Sequence, residues 1–189
     1  MRAREFERDL AALSFWTESE IDQCTRQLRA VGSLPTGGRG LNAPDITAEH
    51  AAIILIGLAA ARRSKDIPNA VETYGLMLPV AEPFEGANRL RDVLTLLLTS
   101  WEQLKSRFKI NGLVVCTTWP EATLHFTDQT GQSHALIYGA QGEAHPGPGM
   151  RADVTFSPAT LSMLSMLLTE GDQTETVWEG EVEAVQGKT

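Results

Sequence analysis

Apolar residues in the first half of the chain recur every three or four residues, the spacing of one face of an α-helix. The first two stripes are Phe6, Leu10 and Leu13, and then Ile21, Cys24, Leu28 and Val31. They predict helices over 2–13 and 17–31, joined by a short turn around Phe15. From Ala51 to Ala61 nearly every residue is apolar, so a third helix is predicted to be buried on all sides.

Two more helical runs follow over 66–78 and 88–108, and the period then changes from about 3.6 to two, as in β-strands. Strand-like runs cover 113–118, 122–127, 133–138, 151–156 and 176–185. Asp128 to Gly131 has the composition of a hairpin turn, and Ser157-Pro158 is a typical helix start before 161–168. The predicted class is α+β: an N-terminal helix-turn-helix, winged-helix-like head, central helices, and a C-terminal antiparallel β-containing domain.

We expect three regions along the chain. Residues 1–65 form the head, 66–109 a helical region for oligomerisation or linkage, and 110–189 an α+β domain. The helices at 51–61 and 88–108 offer more apolar surface than a small head can cover. Exposed apolar surface of that extent normally marks an interface, so a homo-oligomer is expected.

The start of the second helix contains a complete set of local signals. Thr17 is followed three residues later by Glu20, the spacing of a capping box. Trp16 and Ile21 flank this box with the spacing of a hydrophobic staple. Gly32 is placed to end the helix. These signals predict a helix that begins at Thr17 and presents its polar face outward.

Residues 32–40 are too rich in Gly and Pro for a regular element, and the next helix begins at Ile46-Thr47. This order resembles the winged-helix DNA-binding heads of the MerR-like class, including excisionases and phage small terminase subunits. The resemblance covers roughly the first third of the chain. The sequence departs from it at Phe15, where Gly is usual, and at Glu18 and Asp22, which phosphates repel.

The resemblance implies sequence-specific binding of double-stranded DNA by the outward face of the second helix. The residues expected to contact DNA are Thr17, Ser19, Gln23, Arg26, Arg29 and Arg39. Glutamine suits adenine and arginine suits guanine, so Gln23 and Arg26 are expected at base edges. The other four are expected at the backbone, with Arg39 reaching phosphate or the minor groove. The alternative for Arg26 and Arg29 is an ion pair with Asp22.

The distribution of charge limits the DNA interpretation. The 189 residues have a formal net charge of −8. Residues 1–65 hold nine Lys and Arg against eight Asp and Glu, whereas 66–189 hold seven against sixteen. DNA-binding domains are usually more basic, so binding would depend on a few placed arginines, multiplied by oligomerisation.

Neither a catalytic centre nor a cofactor is expected. The two cysteines, Cys24 and Cys116, lie in apolar patterns and are predicted to be buried free thiols in a reducing cytoplasm. The four histidines lack zinc-site spacing, although His125 and His134 could face each other across a hairpin. No apolar run reaches the roughly 18 residues of a membrane span, and the start of the chain lacks the pattern of a secretory signal.

Three functions remain from the sequence. The first is a transcriptional regulator of the kind encoded by phages and mobile elements. The second is a phage small terminase subunit that binds DNA as a ring. The third is a protein-interaction adaptor whose head does not bind DNA, an option supported by Glu18, Asp22 and the acidic remainder.

Overall fold

The computed structural model describes residues 1–37, 44–139 and 151–173, with side chains described as far as residue 169. It is 50% helical and 21% strand, and its strands form one five-stranded antiparallel sheet. The predicted α+β class is confirmed. The helix-turn-helix character of the head and the division into three regions stay predictions.

The described helices are α1 (Ala3–Leu13), α2 (Glu18–Ala30), α3 (Ala48–Ala60), α4 (Ile67–Gly75), α5 (Leu90–Thr99), α6 (Trp101–Lys105) and α7 (Pro158–Gln173). A 3-10 turn, Ser64–Asp66, precedes α4. The strands are β1 (Leu78–Pro79), β2 (Lys109–Cys116), β3 (Glu121–Thr127), β4 (Ser133–Gly139) and β5 (Asp153–Phe156). The predicted strand over 176–185 lies outside the described residues.

Local signals set the ends of the first helices as predicted. Thr17 caps α2, and Gly32, at φ 76°, follows its last turn in the left-handed conformation that glycine adopts without strain. The amides of Gly32 and Ser33 donate to the carbonyls of Arg29 and Leu28. Within 32–37 and 44–47 the only sheet-like contact is an isolated bridge between Arg2 and Asp45, so those residues contain no hairpin wing.

Helix α3 lies at the centre of the molecule. Thr47 caps it, and every side chain from Ala51 to Ile56 is buried. It contacts α2, α4, α5 and β2, so the predicted all-round burial is confirmed. Leu97 and Trp101 are buried as well. The apolar surface on which an oligomer was expected is therefore enclosed within one chain.

The single helix predicted over 88–108 is wrong in its continuity. The chain forms α5 and then the short α6, with a break at Ser100. Before the break, the hydroxyls of Thr95 and Thr99 donate to the carbonyls of Arg91 and Thr95. Hydroxyl groups of this kind compete with the helical ladder, and the Thr99-Ser100 pair marks the place where the ladder ends.

The sheet has the strand order β1-β4-β3-β2-β5, with every pair antiparallel. One face, here the inner face, packs into the core through Leu113, Val115, Ala122, Leu124, Leu136, Tyr138 and Phe156. The register in β2 shifts between Ile110 and Gly112. Gly112 has φ 139°, and a Cβ atom there would lie 3.1 Å from the Phe156 carbonyl oxygen, so the site has little room for a side chain.

The head is joined to the sheet by aromatic packing. The Trp16 ring lies 6.0 Å from the ring of Phe156 on β5. Tyr74 on α4 places its hydroxyl 2.7 Å from the carbonyl oxygen of Cys116, and burial raises the pKa of Tyr74 to about 12. One continuous hydrophobic cluster includes residues from α1 to α7 and from the sheet.

Candidate nucleic-acid interface

Helix α2 presents an exposed polar face built from residues one or two turns apart. Ser19, Gln23 and Arg26 follow each other at four and three residues. Ser19, Gln23 and Arg26 are all exposed. The opposite face, with Ile21, Cys24 and Leu28, is fully buried. The sequence thus predicted correctly which side of the helix faces outward.

Thr17 is the N-cap residue of α2, and its hydrogen bonds are made within the helix end. Its amide donates to Glu20 Oε2 at 2.8 Å, and its hydroxyl accepts from the Glu20 amide at 3.3 Å. These contacts confirm the capping box. Hydrogen bonds from the backbone and side chain of Thr17 lower the pKa of Glu20. A phosphate bound to Thr17 would be repelled by the Glu20 carboxylate. The main role of Thr17 is therefore to cap the helix, and phosphate contact would be secondary.

Arg26 is a highly accessible charged group on this face, with 73% of its side chain exposed. Its Nη2 lies 2.7 Å from Oδ2 of Asp22, one turn earlier. The expected ion pair is therefore present for Arg26. Exposed pairs at this spacing contribute only about 0.3–0.5 kcal/mol, so Arg26 can change partners at little cost.

Arg29 points to a different place from the one expected. Its Nη2 lies 3.1 Å from Oε1 of Glu7 on α1, and its Nη1 donates to Thr25 Oγ1 at 3.3 Å. The buried Thr25 hydroxyl donates to the same Glu7 oxygen at 2.9 Å. This network joins α1 to α2, and the Asp22 alternative for Arg29 is wrong because the Arg29 guanidinium binds Glu7 instead.

Gln23 contacts a segment that the sequence did not assign to the interface. Its Nε2 donates to Oγ of Ser64 at 3.0 Å, which fixes the 3-10 turn beside α2. Arg63 and Lys65 flank Ser64 in the chain, and both are exposed. Helix α3 ends at Ala60, so both residues lie beyond its last turn.

The charges on this surface nearly balance. Arg26, Arg63 and Lys65 stand against Glu18, Glu20 and Asp22 on α2. Arg62, the neighbouring cation, donates from Nε to the Thr117 carbonyl oxygen at 3.1 Å, so it faces the turn between β2 and β3. The predicted contact of Arg39 lies outside the described residues.

Two of the histidines, His50 and His134, have local structural partners. The His50 Nδ1 atom accepts from the Thr47 amide at 3.3 Å and completes the cap of α3. His125 and His134 do not face each other, because their register places them on opposite faces of the sheet. In the described ranges, no three His, Cys, Asp or Glu residues are grouped as a metal ion would require. Cys24 and Cys116 are buried free thiols, as predicted.

An open cleft of about 460 Å³ lies between α5 and the turn at 85–87. Its charged groups are Glu49, Glu85, Arg91 and Asp92. Arg91 approaches Glu49 at 3.9 Å, and Glu85 Oε1 accepts from Arg107 at 3.1 Å. The cleft is lined by ion pairs and helical threonines, which is an ordinary solvated arrangement.

None of the helices in the described ranges combines the length and apolar character needed to cross a bilayer. Comparison of the chain with protein-family models, curated protein sequences and solved structures found no match.

Proposed function

We propose that the chain binds double-stranded DNA through the exposed face of α2. Gln23 and Arg26 are the groups for base edges, and Ser19 contacts the backbone. The observation that favours this surface is the hydrogen bond between Gln23 and Ser64, because it holds two exposed cations, Arg63 and Lys65, beside the polar face. Phosphate contacts provide most of the affinity in such complexes, and these two residues supply them here.

The roles of two sequence-predicted residues change accordingly. Thr17 and Arg29 maintain the helix end and the α1–α2 junction, and their phosphate contacts are secondary. Arg39 remains a backbone or minor-groove contact on the sequence pattern alone. Asp22 opposes binding, because it neutralises Arg26 and repels phosphate.

Labelled duplexes from a genomic-fragment pool, titrated over a salt series, test this proposal. Replacing both Arg63 and Lys65 by Ala should weaken binding to all sequences and reduce the salt slope by about two units. Arg26→Ala should cost about 1–3 kcal/mol on the preferred site and relax selection at one position. Asp22→Asn should tighten non-specific binding.

The matched control is Lys105→Ala, which removes an exposed cation from α6, outside the head. It should leave the binding isotherm unchanged. If no duplex is retained at low salt by the wild-type chain or by Asp22→Asn, DNA binding is refuted and the head is a scaffold.

Two biological uses agree with this activity. A transcriptional regulator of phage or mobile-element type acts as a dimer, whereas a small terminase subunit acts as a ring of several copies. Mass in solution separates them. A protein-interaction adaptor is the second candidate function, and the exposed apolar side chains of Leu78, Val80 and Ile137 on and beside strands β1 and β4 favour it.

A further inference from the structure

The segment that follows α3, residues 62–65, contains three exposed cations in four positions: Arg62, Arg63 and Lys65. Within the described part of the chain, none of the three forms an ion pair with a carboxylate. Most other arginines there do have a carboxylate partner, among them Arg26, Arg29, Arg91, Arg107 and Arg151. The three cations of this segment are therefore available to an anionic ligand.

The acids of the same surface cancel this charge only in part. Together with Asp66, the next residue, the segment has a net charge of +2, from three cations and one acid. Of the acids on α2, Glu20 is bound within the helix cap and Asp22 pairs with Arg26, which leaves Glu18 at the start of the helix. The positive charge is thus concentrated beside α2, and a phosphate backbone is the complementary ligand.

Arg62 is held in place by the sheet. Its Nε donates to the Thr117 carbonyl oxygen at 3.1 Å, in the turn between β2 and β3. The Thr117 amide and hydroxyl both donate to the Ala152 carbonyl oxygen just before β5, at 2.8 and 3.1 Å. The Tyr74 hydroxyl on α4 lies 2.7 Å from the Cys116 carbonyl oxygen. The acceptor of Arg62 therefore belongs to a turn that two other elements hold.

The contact with Thr117 uses only one of the three nitrogens of the Arg62 guanidinium. Nη1 and Nη2 have no hydrogen-bond partner among the described residues, and the residue is exposed. Two guanidinium N–H groups in one plane match two oxygens of a phosphate. Because the Nε contact already restricts the side chain, less rotamer entropy is lost when a phosphate binds.

Two hydrogen bonds fix the segment between α2 and the sheet. Ser64 accepts from Gln23 on α2, and Arg62 donates to Thr117 in the β2–β3 turn. Residues 62–65 extend over at most about 11 Å. One strand of a DNA duplex presents a phosphate about every 3.4 Å along the axis, so the segment can meet about three neighbouring phosphates.

We propose that Arg62 is a phosphate contact of the DNA-binding surface and that the β2–β3 turn positions it. The occupant is the backbone of duplex DNA, next to the phosphates contacted by Arg63 and Lys65. This inference rests on the proposed DNA binding by α2. It extends the interface from the head onto the sheet, because the carbonyl group that holds Arg62 belongs to Thr117.

Two replacements of Arg62 separate its charge from its contact with the turn. Arg62→Gln removes the charge but keeps an amide that can donate to the Thr117 carbonyl. On a short duplex taken from the retained genomic fragments, it should weaken binding roughly eightfold at about 0.1 M salt and about twofold near 0.5 M, which is a salt slope smaller by about one unit. Arg62→Lys keeps the charge, so its salt slope should equal that of the wild type, and only the affinity due to the planar fork should be lost.

Methylphosphonate linkages, which neutralise single phosphates of the same duplex, locate the contact. One such linkage should weaken binding of the wild type but not of Arg62→Gln, because the two changes remove the same interaction. It should lie within about three phosphates of the linkages to which Arg63→Gln and Lys65→Gln are insensitive.

The matched control is Arg89→Gln, which removes another exposed arginine. Arg91, two residues later, approaches Glu49 in the first turn of α3 at 3.9 Å. Arg62 follows the other end of this 13-residue helix, so the two sites are about 20 Å apart. Arg89→Gln should bind the duplex like the wild type at every salt concentration.

Circular dichroism and thermal unfolding establish that each variant is folded, and Arg62→Met replaces Arg62→Gln if the latter does not fold. A wild-type chain that retains no duplex at low salt overturns both this inference and the proposed function. A wild-type chain that binds, while Arg62→Gln keeps the full salt slope and the full methylphosphonate pattern, overturns this inference alone. So does an equal loss of affinity in Arg62→Gln and Arg89→Gln.

Discussion

At the residue scale, Asp128 holds the hairpin between β3 and β4 together. Its Oδ1 accepts from the amides of Thr130 and Gln132 at 2.8 and 3.0 Å, and its Oδ2 lies 2.8 Å from Nε2 of His134. The Thr130 hydroxyl donates to Oδ1 as well. Hydrogen bonds from Thr130 and His134 hold the pKa of Asp128 well below its usual range. The ionised carboxylate is therefore the form that the folded turn stabilises.

Asp128→Asn should lower the thermal unfolding midpoint at neutral pH, and the difference from wild type should shrink on acidification. A carboxyl group whose pKa is lowered by folding stabilises the fold above its unfolded pKa of about 3.9. That contribution is lost as the pH falls from there towards the folded value. Melting curves at about pH 7 and about pH 2.5 measure it.

Glu102→Gln is the control for the change in net charge, because Glu102 is an exposed carboxylate paired with Lys105. It should change the midpoint little at either pH. An Asp128→Asn deficit of equal size at both pH values would contradict the account.

At the element scale, the sequence predicted what local chemistry determines. The caps at Thr17 and Thr47 and the Asp128–Gly131 turn are set within four residues, and each is present. The break at Ser100 was missed because the apolar stripe continues through it. The partners Glu7 and Ser64 were missed because they come from other elements, 22 and 41 residues away from Arg29 and Gln23. Contacts of that kind depend on how helices pack, which periodicity does not encode.

Gly57 shows how closely those helices approach. A Cβ atom there would lie 3.1 Å from Ile67 Cγ2, 3.2 Å from Cys24 Sγ and 3.3 Å from Val71 Cγ2. Because the contacts come from both α2 and α4, no single side-chain rotation relieves them. Gly57→Ala should lower the free energy of unfolding by about 1 kcal/mol despite the better helix propensity of alanine.

Gly75, at the end of α4, provides the matched control, since its nearest neighbours would lie 3.8 and 3.9 Å from the new Cβ. Gly75→Ala should be neutral or stabilising by about 0.5 kcal/mol. Denaturant unfolding of both variants decides the point. If Gly57→Ala were stabilising instead, helices α2, α3 and α4 would be able to move apart and accommodate the methyl group, contrary to the prediction.

At the scale of the whole molecule, the hydrophobic cluster crosses both predicted region boundaries. Ile54 and Leu55 in the first region, Leu94 and Leu97 in the second, and residues such as Leu113 in the third belong to one cluster. Composition and charge change near residue 65, but charged residues lie on the surface, so this change does not mark a boundary in the core. Burial is continuous there, and cooperative unfolding follows burial.

The last prediction is that the described head and sheet unfold as one unit. Trp16 is buried against Phe156, so Trp16→Ala should lower the free energy of unfolding by about 3 kcal/mol. The far-ultraviolet circular dichroism and tryptophan fluorescence transitions should coincide in the wild type and shift together in the variant. Phe15→Ala is the control, because Phe15 is 71% exposed although its ring lies 4.5 Å from that of Trp16, and it should cost less than about 0.5 kcal/mol. Two separate transitions, with only the first shifted by Trp16→Ala, would establish that residues 1–65 fold as an independent domain after all.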